Sequence, residues 1–147
     1  MALEIARALA ALNLVALVAL GGCVSFTDPM GRKHALEESQ RRYTNLVRWG
    51  EIEKAADLVD PALRQDFLGQ AAALEGFRIT DFEIGSLRHD ADGSARVTVT
   101  YRGYSVGTYL ERSMREHQRW FCEGGGNAWW VQPEIEGLVS TLGAATR

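Results

Sequence analysis

The run Arg115-Glu116-His117-Gln118-Arg119-Trp120 sets a carboxylate and an imidazole between two guanidiniums. These are side chains that move protons or hold anions. Strand alternation decides which of them can act together. His117 has the parity of Arg115, Arg119 and Phe121, so it is expected to face away from any helix-packed surface, as a partly exposed histidine among ion-pairing neighbours. Glu116 has the opposite parity, shared with Arg112, Met114 and Gln118. Arg112, Glu116 and Gln118 could orient a ligand at the mouth of a fold, or only pair charges at a sheet end. Asp81 and Glu83 are a second candidate acid pair, yet both point outward when Phe82 and Ile84 point in, unless a bulge flips Asp81. His34, His89 and Asp90 lack metal-ligand spacing, so no metal is expected and no cofactor is implied. Gly124 to Gly126 lack the lysine and the strand-to-helix context of a phosphate loop and read as a hairpin tip.

Composition narrows the classes. The chain has 147 residues, 16 Lys and Arg against 19 Asp and Glu, and a formal net charge of −3. A nucleic-acid partner would require a basic excess in a clustered patch, and here the arginines alternate with acids, so no nucleic acid is expected. Of the two cysteines, Cys23 follows an apolar run, and Cys122 reads as a buried small hydrophobe, with a reactive thiol as the alternative.

Residues 8–22 are apolar apart from Asn13 and follow a short segment bearing Glu4 and Arg7. The run falls short of the roughly 20 residues of a spanning helix and ends in two glycines. Its last residues, Leu20-Gly21-Gly22-Cys23, resemble the signal of bacterial lipoproteins: a branched apolar residue, two small residues, then the cysteine whose thiol becomes a thioether. An uncleaved anchor and ordinary secretion are the alternatives. The resemblance implies removal of residues 1–22 and acylation of Cys23, and two chains or more anchor a protein stably. With Val24 and Ser25 after the cysteine, it also implies the outer membrane, periplasmic face. About 125 residues would remain, enough for one domain, still at net −3 because Glu4 and Arg7 leave together. Residues 23–33 then form the lipidated cysteine and tether, 34–134 the domain and 135–147 a tail.

Within the domain, the apolar or aromatic positions 36, 43, 46, 47 and 49 form one helical stripe ending at Gly50. Ile52, Ala55, Ala56 and Val59 make a short second helix. Asp60-Pro61 reads as an N-cap with proline in the first turn of a third helix, which buries Leu63, Phe67, Ala71 and Leu74. After Gly76 the period becomes two. Ala95, Val97, Val99 and Tyr101 alternate with Arg96, Thr98, Thr100 and Arg102, and Asp90 to Gly93 give a hairpin to the preceding strand. Phe82 and Ile84 share the face of Val97, Val99 and Tyr101, whereas Ile79 is out of step, which calls for a bulge near Thr80-Asp81. Strands from about Tyr109 to Glu123 and Asn127 to Gln132 follow. A turn at Gly125-Gly126 sets Cys122 opposite Trp129, Trp120 opposite Val131 and Phe121 opposite Trp130.

Three patterns together, Tyr43-x-x-Leu46-x-x-Trp49 running to Leu58-Val59-Asp60-Pro61, Arg78-Ile79-Thr80-Asp81-Phe82 with the Ala95–Tyr101 strand, and Gln118-x-Trp120 with Trp129-Trp130-Val131, resemble the nuclear transport factor 2-like superfamily, also called SnoaL-like or steroid isomerase-like. The resemblance spans about residues 33–134. It implies an α+β fold, three N-terminal helices packed on a curved four-stranded antiparallel sheet closing into a cone. Enzymes of the superfamily keep an Asp, His or Tyr inside the cone. Here Phe82, Ile84, Val97, Val99, Tyr101, Trp120, Cys122, Trp129 and Val131 face the core and include no carboxylate, so no catalytic residue is assigned. Pocket or core positions are Trp49, Phe67, Phe82, Tyr101, Glu116, Trp120 and Trp129. Tyr109, Phe121 and Trp130, with arginines nearby, have the composition of an interface; the superfamily often dimerises through this side, which implies a homodimer or a periplasmic protein partner, and cover by the tail is the alternative. The expected function is a non-enzymatic lipoprotein that binds a protein partner or a small apolar ligand. The alternative is an acid–base isomerase or dehydratase of a small hydrophobic substrate, with Tyr101, Glu116 or a flipped Asp81 moving the proton.

Overall fold

A computed structural model of the chain describes residues 31–136. The expected leader, Cys23 and most of the expected tether lie outside the described residues, as does the chain beyond Glu136. The unit beginning at Arg32 is α+β, three helices packed on an antiparallel sheet of four long strands and one very short one.

Helix α1 (Arg32–Arg48) buries Leu36, Tyr43 and Val47 along one stripe, and the same stripe carries Gln40 and Thr44. It stops at Gly50, whose φ of 72° is left-handed. There Glu51 N–H donates to the Leu46 carbonyl and Gly50 N–H to that of Val47, the paired bonds of a Schellman end. Helix α2 (Ile52–Ala56) turns Ala55 and Ala56 inward. Asp60 does not cap a helix directly. Its carboxylate accepts the Ala62 N–H in a turn through Pro61, and α3 (Arg64–Ala71) starts only at Arg64, burying Phe67 and Ala71.

The strands are β1 (Phe77–Ile84), β2 (Arg88–His89), β3 (Ala95–Ser105), β4 (Glu111–Cys122) and β5 (Trp129–Glu136). Their order is β1-β3-β4-β5, and β2 continues the β1 side of β3. Phe82 pairs with Tyr101 and Ile84 with Val99, after a register shift between Ile79 and Asp81. That bulge is pinned from two sides, Arg48 donating to the Thr80 carbonyl and the Thr80 hydroxyl to the Arg102 carbonyl. Opposite it sits Gly103, where any Cβ would fall 2.1 Å from the Arg78 carbonyl oxygen. Trp120 pairs with Val131, Phe121 with Trp130 and Cys122 with Trp129, across a six-residue loop that is wider than a tight turn. β5 runs four residues past Gln132, so residues 135 and 136 belong to the sheet.

One face of the sheet meets the helices. Val97, Val99, Tyr101, Met114, Trp120, Trp129 and Val131 are buried there with the helical stripe. Ile84, expected inward, lies at the end of β1 and is more than a third exposed.

Candidate functional site

The inner face of β4 holds a carboxylate, which corrects the expectation of a core without one. Glu116 is fully buried. Parity had placed it on this side with Gln118, but at the mouth of the fold. Both instead lie in the interior, and only Arg112, at the strand end, is exposed.

Three elements position the carboxyl. Tyr43 from α1 donates its hydroxyl to Oε1 at 2.7 Å. Tyr101 from β3 donates to Oε2 at 2.9 Å, and Gln118 Nε2, two residues along β4, donates to the same oxygen at 2.7 Å. Gln118 Oε1 in turn accepts from Trp120 Nε1 at 3.1 Å and from Gln40 Nε2 at 3.4 Å. Gln40 also reaches the Thr44 hydroxyl at 3.0 Å. The network joins α1 to the sheet, and every polar atom named in it has a partner, as burial demands. Around it, Trp120 stands edge-on to Tyr43 with ring centroids 5.9 Å apart, and Phe67 lies 6.1 Å from Tyr43.

Burial pushes the Glu116 carboxyl above its usual range, against the bonds from Gln118, Tyr43 and Tyr101 that favour its charged form. Burial also raises both phenols well above the ordinary tyrosine value, and the neighbouring Glu116 charge adds to this. An acid with a raised pKa between two phenols has the ingredients of proton transfer. It does not open onto the described grooves. None of the three grooves described, of about 750, 870 and 480 Å³, is lined by Glu116, Tyr43 or Tyr101.

The other sequence candidates scatter. Trp49 is not in the core. It is 69% exposed, stacked under the Arg48 guanidinium at the rim of the 750 Å³ groove. Phe67, Tyr101, Trp120 and Trp129 are buried, and Phe82 is partly so, against Tyr101. The indole N–H of Trp129 is buried without a hydrogen-bond partner. Asp81 stays outward despite the bulge, and it and Glu83 both pair with Arg102. His117 faces outward, between the Thr98 hydroxyl at 3.0 Å and Glu136 at 3.2 Å. Cys122 is a free, partly buried thiol packed beside the core. Among the described residues no three His, Cys, Asp or Glu side chains gather as a metal site, and no helix is long and apolar enough to cross a membrane.

The aromatic surface divides in two. Phe121 and Trp130 face each other beside the β4–β5 loop and remain partly exposed. Tyr109 is elsewhere, in the β3–β4 turn with φ of 54°, stacked on Tyr104. At roughly 3.3 Å per residue, β4 separates the two by on the order of 30 Å. Sequence reasoning missed Tyr43 as a partner of Glu116 and Gln40 and Thr44 as partners of Gln118 beside it. Their spacing of three and four in one helical stripe was the available signal.

Comparison of the chain with protein-family models, curated proteins and solved structures finds no match.

Proposed function

We propose that this chain is an outer-membrane lipoprotein, anchored through Cys23, whose domain is of the nuclear transport factor 2-like kind and acts by binding rather than by catalysis. One observation carries the binding reading. Glu116, the interior group best suited to acid–base work, is fully buried and accepts three hydrogen bonds from the protein's own side chains, so a substrate would have to displace packed side chains to reach it. The partner surface is the outer face of the sheet, where Phe121 and Trp130 offer paired, partly exposed rings of the type that anchors interfaces. The helix–strand order and the bulged β1–β3 pairing support the superfamily assignment. The sequence Leu20-Gly21-Gly22-Cys23 supports the anchor.

A second reading keeps one observation in its favour, the raised carboxyl between Tyr43 and Tyr101. It makes the domain an isomerase or dehydratase that opens to admit a small hydrophobic substrate. Hydrogen exchange of the Trp120 indole N–H separates the two. A sealed interior exchanges it only at the rate of global unfolding. Exchange much faster than that, with backbone protection of β3 and β4 retained, would favour the enzyme. The anchor has its own test: Cys23→Ala should move the protein out of the outer-membrane fraction, and unchanged recovery there would remove the lipoprotein reading.

A further inference from the structure

The outer face of the sheet carries a row of three arginines. Arg88 on β2 is directly opposite Arg96 on β3, which is directly opposite Arg119 on β4, and Gln132 on β5 completes the row. Residues directly opposite in an antiparallel pair put their side chains on one face with Cβ atoms about 5 Å apart, and like charges in that position oppose folding. Two such contacts in succession are more than protection of an edge strand requires, since Arg119 lies on an interior strand.

The β2–β3 hairpin supplies the counter-charge. Asp90 takes the Arg96 guanidinium with two hydrogen bonds, at 2.8 and 2.7 Å, and Asp92 takes Arg119 at 3.0 Å. These bonds orient the two guanidiniums without exhausting them, because a guanidinium has about five N–H donors. Arg96 and Arg119 remain 67% and 51% exposed. Arg88 has no ion pair among the described residues and leaves the row with one positive charge more than its two aspartates offset.

All three arginines line the groove of about 870 Å³, with Thr98, His117 and Gln132. The spare donors on this lining are chiefly those of the guanidiniums, since Thr98 and His117 bond each other, His117 also meets Glu136 and Gln132 donates to Asp60; Glu134 is the only carboxylate on the lining. A concave site with surplus donors and oriented guanidinium forks matches a phosphate oxyanion.

We propose that the Arg88–Arg96–Arg119 row is a binding site for a phosphate group, carried either by a soluble phosphorylated molecule or by a phospholipid headgroup. Arg88, which makes no ion pair among the described residues, supplies a guanidinium free to engage the anion, while Arg96 and Arg119, held by Asp90 and Asp92, supply directed donors. The site depends neither on the anchor nor on the closed interior.

The test uses the full chain at fixed ionic strength. In one arm pyrophosphate is titrated and the arginine Nε–H resonances are followed by NMR. In the other, sedimentation compares vesicles of phosphatidylcholine with vesicles that also contain phosphatidylglycerol, read as a ratio so that residues 8–22 contribute to both. Saturable shifts at Arg88, Arg96 and Arg119 support a soluble ligand; preference for the anionic vesicles without such shifts supports a headgroup. In either arm Arg88→Glu should weaken binding about tenfold or more. Arg112→Glu makes the same change in net charge at an exposed strand end and should weaken it less than about twofold. Arg88→Lys should fall between them, since it keeps charge and loses the fork. Equal losses from Arg88→Glu and Arg112→Glu, or binding in neither arm, would overturn the proposal.

Discussion

Strand β4 has two faces built from similar residue types and put to opposite uses. Inward it presents Glu116, Gln118 and Trp120, and outward Arg115, His117, Arg119 and Phe121. The inner polar groups satisfy one another through Gln40, Tyr43, Thr44 and Tyr101. Outside, Arg119 stays half exposed beside a groove with donors beyond the one it gives Asp92. A reactive residue type alone therefore does not say whether a group is spent on the protein's own packing or exposed beside open space. Inside, the hydrogen bonds from Tyr43, Tyr101 and Gln118 make the carboxyl tolerable in a buried setting.

That contrast can be strained most by deleting one aromatic from each face. Trp120→Ala removes a fully buried ring and the donor to Gln118, and should cost about 3–5 kcal/mol in urea unfolding. Trp130→Ala, on the partly exposed outer face, should cost less than about 1 kcal/mol. If the outer face is the proposed partner surface, Trp130→Ala should instead loosen self-association, read by sedimentation. Equal losses of stability would erase the distinction between the faces.

A finer probe is the pH dependence of unfolding. Burial raises the folded-state pKa of Glu116 above the ordinary value of about 4.5, so between those two values the native state holds the proton more than the unfolded state does. Stability should thus be fullest below about 4.5 from this group and decline as pH rises through the raised value. Glu116→Gln should flatten that segment. Asp90 and Asp92 act in a different window and with the opposite sign. Hydrogen bonds from Arg96 lower the first, and those from Ser94 hold the second at about 2. What they contribute is present above the ordinary aspartate value and fades as pH falls through their lowered ones. A wild-type curve without decline above 4.5 would place Glu116 in a wetter setting than its three donors describe.

The β half of the fold was legible because its cues are local and redundant. Alternation from Ala95 to Tyr101 fixed which side chains face in, and Ile79 being out of step with Phe82 marked the bulge. Pairing of Phe121 with Trp130 followed from a symmetric Gly-rich tip. The interior network was hidden by residue type, since a glutamate in a strand is ordinarily read as solvated. Its parity was visible, but the compensation comes from Tyr43 and Tyr101, and distant donors leave no mark near position 116. Trp49 misled in the reverse direction. It is apolar and close to Val47 in sequence, yet two helical residues amount to about 200° of rotation, which carries it to the far side of α1.

Where the chain leaves α2, it is sewn to the last strand. Val131 N–H donates to the Leu58 carbonyl and Asp60 N–H to the Val131 carbonyl, with Gln132 Nε2 reaching the Asp60 carboxylate at 3.0 Å. A polypeptide emerging amino end first cannot make this seam until β5 has appeared, some 70 residues later. Closing so long a loop costs entropy before it returns any contact. The early helices must therefore wait, incompletely docked, for the final strand to arrive, and a chain cut short before Val131 would leave its helical third without a clasp.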